Sequence, residues 1–596
     1  LIGQHPPLPR LTLNVGITGH RLNGIPEECL EPLGQKLDEV FRLLREGVGA
    51  LEAGRSPWFD QAPAVLRLHT PLASGADQMA ATSARGQDYE VRALLPFGSY
   101  EYAKDFAEGE EYAQFRLLLK DSDEVFCLPG SREQEQDAYL TVGKAVIAAA
   151  DVIVAVWDGG EGNGPGGTAH IVDLALRAGV PVIHIPINRE QQTVDAVRLL
   201  VGGDAVEPEL ADFCGPDDYV SLIENLLAPS SSTERQQLLE YLAEEEKTTN
   251  WRIEYPLLLS LLRVKKLPAK PWRQAPVSSD LTSTLAIAEH LPGGRDLDPR
   301  DLAYAWANFL AIRYAQLFRS GHVTNYFLSA FAVLVALFGL IIPSIKIFLV
   351  AIELATIGLL YLNTSAGRTG DWHRRWLQYR HLAESLRLLE YLKQTGLAGP
   401  PFRSESASHS IEGEVSADWS SWYCAAIWRE MHCPVGFMSV ERTKALAQSV
   451  IRDQISDQAS YHRVNAHRMR HLDHRLHETG TFLMAAVIAS CILYMFIFIV
   501  SREMLHALTY PFIFVTAGFP ALGAAVFGMR GHGEHLLTAS RSLITADKLE
   551  IELGRLEALD NPEELAKVLE QTTRVILADL NLWTVSYSEK SLEIPA

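Results

Sequence analysis

The residues of this chain best suited to chemistry lie where apolar runs end. The run Val152–Trp157 gives way to a glycine-rich loop, Gly159–Gly167, which contains Gly164, Gly166 and Gly167, and an amphipathic helix opens at Thr168. Glycines leave backbone N–H groups uncovered, and a helix start adds the positive end of a dipole; together these hold a phosphate. A second apolar run, Pro181–Ile187, follows Gly179, so Ala150–Ile187 reads as a strand–helix–strand unit. Glycine also serves ordinary turns, and taken alone the loop reads equally well as a plain connection.

Other polar and glycine signals fall at equivalent points. Leu11–Ile17 runs into Gly16-Ile17-Thr18-Gly19-His20-Arg21, and Val65–Leu72 is closed by Ser74-Gly75-Ala76-Asp77. Val91–Leu95 ends in Pro96-Phe97, with Tyr100 and Asp105-Phe106 beyond, and Glu124–Leu128 ends in Pro129-Gly130. Helical stretches, among them Tyr139–Ala149, separate these runs. Alternating strands and helices predict an α/β Rossmann-like domain with a mostly parallel sheet covered on both faces. In such a sheet the loops after the strands converge on one crevice, the usual ligand site. There His20 and Arg21 would neutralise a phosphate, or else form a surface salt bridge. Asp77 and Asp158 would accept ribose hydroxyls, unless Asp77 caps the helix that follows it. Thr168 reads both as a helix cap and as a phosphate ligand.

Composition narrows the classes. The chain has 596 residues, length for several domains, and a formal charge of −20, which excludes sequence-independent nucleic-acid binding through a basic surplus. Cys29, Cys127, Cys214, Cys424, Cys433 and Cys491 form no metal or disulfide pattern and read as reduced thiols of a cytoplasm-facing protein. No signal-peptide core is present near the start, and a first residue of Leu reads as a trimmed or partial N-terminus.

Beyond Arg300 the character changes. Val323–Ile342, Thr481–Val500 and Ala507–Gly528 are uncharged over membrane-spanning lengths, and Ser344–Leu362 is as long but carries Lys346 and Glu353. They group as two pairs with short connections, predicting an all-α part with two tandem transmembrane hairpins and long cytoplasmic helices. Arginines cluster outside the pairs (Arg313, Arg319, Arg368, Arg374, Arg375 and Arg380; then Arg463, Arg468, Arg470, Arg475, Arg530 and Arg541), while the tips hold only Lys346 and Arg502. The positive-inside rule then puts both ends of each pair, and the N-terminal domain, in the cytoplasm of a multi-pass inner-membrane protein. Phe327-Leu-Ser-Ala-Phe-Ala-Val aligns with Phe482-Leu-Met-Ala-Ala-Val-Ile, which reads as a duplication. Glu353, at mid-span, is a pore or gate candidate, or a protonated carboxyl bonded to a neighbouring helix. Trp419, Trp422 and Trp428 read as an interfacial helix or as ordinary packing. The series His462, His467, His471, His474 and His477 reads as a solvated basic face near anionic lipid, and no metal is expected.

The motifs GITGHR, SGADQMAA, LPF…Y…DF and WDG…GPGGT resemble the SLOG superfamily, Rossmann-like domains related to the Lonely Guy phosphoribohydrolases and the DprA fold. Members sense nucleotides or hydrolyse their N-glycosidic bonds. The hydrolytic pattern places a glutamate shortly after the glycine–threonine turn; here Ala169, His170, Ile171 and Val172 follow Thr168, and Asp173 is the first carboxylate. That departure favours binding over hydrolysis. Ile455–Arg470 and Trp376–Leu392, with the paired spans, resemble SLATT two-span modules, which accompany nucleotide-sensing or signal-synthesising domains in bacterial anti-phage systems and are proposed to act as pore-forming effectors.

The resulting layout is a SLOG-like domain at 11–228, a linker and helical connector at 229–299, SLATT-like modules at 300–395 and 419–596, and a linker at 396–418. The implied function is a nucleotide-signal-gated membrane effector or channel of antiviral defence. It would act as a homo-oligomer in the lipid bilayer, take a nucleotide-derived second messenger as its ligand, and have a signal-synthesising enzyme as partner. Ligand contacts are expected from Gly16, Thr18, Gly19, His20, Arg21, Ser74, Gly75, Asp77, Asp158, Gly164, Gly166, Gly167 and Thr168, with no catalytic residue. The alternative is a membrane-anchored hydrolase of NAD-like or nucleoside monophosphate N-glycosidic bonds, with Asp158 or Asp173 in place of the glutamate.

Overall fold

Six apolar runs pair side by side because each is buried on both faces and has no polar side to turn outward. They are β1 (Thr12–Gly19), β2 (Val65–Thr70), β3 (Glu90–Leu95), β4 (Glu124–Cys127), β5 (Val152–Trp157) and β6 (Val182–Asn188). All six are parallel, in the order β4-β3-β2-β1-β5-β6. Beyond β6, the strands β7 (Thr193–Val194), β8 (Arg198–Val201) and β9 (Glu209–Asp212) continue antiparallel. The far edge is extended by β10 (Gly436–Phe437), which returns from the second half of the chain to pair with β4. This is a computed structural model; it describes residues 3–54, 56–160, 164–202, 209–213, 215–279, 281–282, 298–402, 419–500, 502–533, 535–557, 559–588 and 592–594. Cys214 and most of the 396–418 linker lie outside that set.

The helices α1 (Glu27–Ala53), α2 (Ala76–Gly86), α3 (Ser99–Tyr102), α4 (Glu110–Asp121), α5 (Glu135–Ala149), α6 (Thr168–Arg177) and α7 (Pro216–Leu227) cover this sheet. On one face Leu13, Val15 and Leu68 pack with Leu37, Phe41 and Leu44 of α1. On the other, Ile153, Ala155 and Val182 pack with Val146 and Ile171, and that core runs on without a break into the helices that follow.

The connecting helices are α8 (Ser232–Leu242) and α9 (Glu254–Leu261). Next come α10 (Pro299–Ile341), α11 (Lys346–Thr369) and α12 (Trp372–Thr395). After the linker stand α13 (Trp419–Glu430), α14 (Val440–Val450), α15 (Asp457–Val500), α16 (Arg502–Ile513), α17 (Phe519–Gly533), α18 (His535–Leu556) and α19 (Pro562–Ser588). The start of α10 is firmly signalled: the Asp298 side chain accepts from Arg300 N–H at 3.1 Å, Asp301 returns the bond to Asp298 N–H at 3.0 Å, and Pro299 is the first helical residue. Among the described residues, four helices are long and apolar enough to cross a membrane, in the stretches Pro299–Ile341, Pro343–Thr395, Asp457–Val500 and Leu508–Leu556. They turn large apolar side chains outward: Phe327, Leu354, Phe482 and Met495 are exposed, and Ile347 and Ile499 are more than four-fifths exposed, at 89% and 81%. Such a belt is untenable in water and ordinary in lipid, which marks a membrane protein.

Of the two readings of the three tryptophans, an interfacial helix or ordinary packing, the structure shows packing. Trp419 and Trp428 are buried, Trp419 lies 4.9 Å from the Tyr241 ring, and the Trp422 indole donates to Leu227 O at 2.9 Å. Their helix, α13, seats on the base of the sheet through buried polar bonds. Arg429 Nε donates to Asp151 Oδ1 at 2.8 Å, and Asp151 Oδ2 accepts from Asn14 N–H at 3.0 Å. Arg67 Nη1 donates to Arg429 O at 2.9 Å, and Lys393 of α12 donates to Trp428 O at 3.1 Å. Removing one partner of a buried ion pair costs about 3 kcal/mol or more, because the other charge stays desolvated. Arg429→Ala should therefore lower the thermal unfolding midpoint of the detergent-solubilised chain by several degrees, while Glu46→Ala, on the exposed face of α1, should leave it unchanged.

Candidate nucleotide crevice

Strand order reverses between β1 and β5, since β2 lies on one side of β1 and β6 on the far side of β5. Loops leaving the carboxyl ends of these two strands diverge to opposite faces and open a crevice, the topological switch point. Gly19, His20 and Arg21 leave β1 there, and Asp158 leaves β5 beside them: the Asp158 N–H donates to His20 Nε2 at 3.2 Å, and His20 N–H to Val156 O at 3.0 Å.

The loop after β2 is locked onto the same point. Gly75, with φ of 94°, allows its N–H neighbour Ala76 to reach His20 O at 3.1 Å. A Cβ on Gly75 would sit 2.5 Å from Leu22 N, so only glycine allows the two loops to touch. Gly19 is confined in the same way, by Ala76 Cβ at 2.5 Å. Gly16 faces the core under α5, where an added Cβ would lie 2.5 Å from Ile153, and its role is packing. Thr18 belongs to β1, paired opposite Ala155, and Ser74 is half-buried beside Gly75.

Charges in the crevice come in pairs. Asp158 is held by Arg189 at 3.0 Å and lies 3.4 Å from His20 Nε2, which also sits 3.1 Å from Arg189 Nη2. Burial pulls the His20 pKa below its ordinary 6.5, with Asp158 opposing, so the imidazole is largely neutral and its Nε2 accepts. His20 thus orders the Asp158 loop and is a poor counter-ion. A second cluster centres on Asp105, almost fully buried, which takes Arg132 at 2.5 Å, the Tyr139 hydroxyl, and Arg21 at 3.7 Å. Arg21 also lies over the Tyr139 ring at 5.0 Å. Asp77 is buried and accepts from Ala73 N–H at 3.3 Å, closing the loop before α2 rather than capping the helix, whose cap residue is Gly75.

At the start of α6 the cap residue is Gly167, not Thr168, and no side chain caps it. No acidic residue stands in the first turn, so its N–H groups and dipole offer an anion seat. Gly164 and Gly166 take positive φ of 115° and 81°, and Gly166 packs against the α5 backbone, where a Cβ would meet Leu140 N at 3.0 Å. Residues 161–163 of this loop lie outside the described set. Asp173 is on the exposed side of α6, paired with Arg177 at 3.0 Å. Glu353 is elsewhere, half-buried on α11. Among the described residues, no group of three or more His, Cys, Asp or Glu side chains is placed to hold a metal ion.

Sequence reading missed Arg189, Arg132 and Tyr139. Arg189 follows the last residue of β6, so the strand-end rule that found Arg21 reaches it too. Arg132 comes two residues after the Pro129-Gly130 turn, and Tyr139 had been assigned only to a helix. No family model matches the chain. Nor does any curated protein or solved structure match it.

Burial raises the Asp77 carboxyl from its ordinary 3.8 to about 7, with the Ala73 N–H and Arg21 opposing. The fold therefore favours the protonated form, and this contribution to stability is complete below about pH 4 and lost as pH rises through about 7. Asp77→Asn cannot ionise. The midpoint difference between variant and wild type should thus be flat below about pH 4, shift toward the variant between about pH 4 and 7, by on the order of 1.4 kcal/mol per pH unit at most, and be flat again above; a difference independent of pH would contradict it.

Proposed function

We propose that this chain is a nucleotide-signal-gated membrane effector, a homo-oligomeric channel of the kind used in anti-phage defence, with a SLOG-like sensing domain and SLATT-like hairpins. One observation carries the reading. Three loops with phosphate- and ribose-type residues meet at the switch point of a sheet whose base is bonded to α13 and whose one face shares a core with helices bearing apolar stretches.

The paired charges give a mechanism. Arg189 and Arg21 are held by Asp158 and Asp105, and a ligand phosphate would compete for the same guanidiniums. Released carboxylates would then turn to ribose hydroxyls, or repel one another and shift the β5 and β3 loops. Such exchange differs between two arrangements of the crevice, and differential affinity is the only means by which a ligand moves a conformational equilibrium. Arginines flanking the apolar pairs favour an inner-membrane protein with both pair ends and the sensing domain in the cytoplasm. Glu353, which makes no hydrogen bond or ion pair with a described residue, costs roughly 2.5–3.5 kcal/mol against lipid at mid-span. A ring of copies that turns it inward removes that cost, and this favours an oligomer with Glu353 on the ion path.

Calorimetric titration of the solubilised chain with nucleoside phosphates and NAD-like dinucleotides should give stable binding. Arg21→Gln and Arg189→Gln should each weaken it about tenfold, or about 1.4 kcal/mol. The bound nucleotide should release ions from proteoliposomes, and Glu353→Gln should change the conductance without lowering insertion. Product formation on chromatography would instead support the hydrolase, and neither binding nor flux would leave the proposal without support.

A further inference from the structure

Between the sheet domain and α10 runs a segment with a composition opposite to that of the chain. Trp251–Arg273 holds six cations, Arg252, Arg263, Lys265, Lys266, Lys270 and Arg273, and a single carboxylate, Glu254, in a protein of formal charge −20. All of these cations except Arg252 are exposed. So are its large apolar side chains: Trp251 is 75% and Leu261 72% exposed, and Leu257, Leu267 and Trp272 are exposed as well. The indoles of Trp251 and Trp272 stack at 6.3 Å with planes 14° apart, and α9 has no buried residue at all.

This surface is not a loose loop, because it is fastened to α10 and α11. Tyr255 N–H donates to Ser320 Oγ at 3.2 Å, and Gln316 Nε2 to Arg252 O at 2.7 Å. Arg252 donates to Thr324 Oγ1 at 3.0 Å and to Asn363 Oδ1 at 2.7 Å, and Gln274 Nε2 reaches Phe309 O at 2.7 Å. The apolar run of α10 begins at Val323 and that of α11 ends at Leu362. The bonds to Ser320, Thr324 and Asn363 therefore hold Arg252–Tyr255 level with the point where both runs stop being apolar, while Gln274 is anchored further along α10, about 20 Å away. Behind it, Tyr255 and Leu258 line a cavity of about 120 Å³ with Arg319, His322 and His532, and among the described residues no carboxylate lines it.

We propose that Trp251–Arg273 is a membrane-surface collar, its Trp and Leu side chains seated in the headgroup region and its five exposed cations bound to anionic phospholipid. Indoles collect at that depth, and polybasic segments next to spans bind acidic headgroups. The proposal rests on the reading of α10 and α11 as spans. It adds that the sensing domain is held against the bilayer surface by this collar as well as by the helices.

The test places an environment-sensitive fluorescent amino acid at Leu261 or at Ile347 of the full chain, reconstituted in vesicles containing brominated-acyl phosphatidylcholine with or without phosphatidylglycerol. Emission at 347 should be quenched in both mixtures. At 261 it should be quenched at least twofold more with phosphatidylglycerol than without, and the gain should vanish when Arg263, Lys265, Lys266 and Lys270 are all replaced by Gln. Quenching at 347 but not at 261 overturns the collar alone, and quenching at neither overturns the membrane reading beneath it. Quenching at 261 that ignores phosphatidylglycerol overturns the assignment to anionic lipid.

Discussion

The contact between Arg429 and Asp151 fixes the base of the sheet to the helical half of this protein. Asp151 stands immediately before β5, so its carboxylate is tied by backbone to the strand whose far end carries Asp158. Arg429 closes α13 and also donates to Leu226 O at 2.8 Å, joining α7 to the same point. Around it Asn14 and Arg67 supply further donors to the Arg429 carbonyl, at 3.3 and 2.9 Å. Asn14, Arg67 and Asp151 are buried and Arg429 is mostly covered, so each needs its partner, and the arrangement has little freedom to slide. The sheet is thereby clamped at the amino ends of its strands and open at the carboxyl ends. A six-residue strand of roughly 3.3 Å per residue separates the two.

The helices on the second face of the sheet join its loops to the helical half. α5 and α6 follow the loops of β4 and β5, and they share one unbroken apolar core with α10, α12 and α19. Close-packed interiors do not absorb small displacements locally. A shift of the Gly164–Thr168 turn against α5 would be passed to α12, whose side chains are buried along most of its length. Polar bonds continue the path between α10 and α11: Asn325 donates to Thr364 Oγ1 at 3.0 Å, and Asn363 donates to Asn325 Oδ1 at 2.6 Å. Glu244, in the connector, takes Tyr314, Tyr379 and Arg375 at 2.6, 2.9 and 2.8 Å and pins α10 to α12 just beyond the sheet.

Local signals in the sequence carried the sheet and most of the crevice. The strands are apolar, and parallel sheets hide both faces, so they could be read in order. Gly19 and Gly75 were read as ligand contacts, and the structure adds that each also admits a close approach that a Cβ would block. What was not visible depends on contacts distant in sequence. β10 is two residues long and exists only because β4 offers an open edge. The burial of Trp419 follows from Tyr241 and Tyr379, which no spacing rule joins to it. Asp77 was read two ways because a short carboxylate near a helix start serves either, and only its burial separates them. The collar escaped notice for another reason: its Pro and Lys content reads as linker until its bonds to Ser320 and Asn363 show the height at which it is held.

These features set the terms on which a ligand could act. The crevice cations are already satisfied by Asp158 and Asp105, so a phosphate gains only the difference between its own bonds and theirs. That difference is small when each guanidinium exchanges one anion for another of similar geometry. It grows when the displaced carboxylate finds a new donor on the same ligand, which a nucleotide provides through ribose hydroxyls and inorganic phosphate does not. A crevice of paired charges thus discriminates against free phosphate, and against any anion lacking a second polar arm, without excluding either by shape. Selectivity of that kind is what the proposed sensing role asks for, and it needs no catalytic group. It needs a sheet rigid enough at its base that rearranged carboxylates at the top move loops and helices rather than strands.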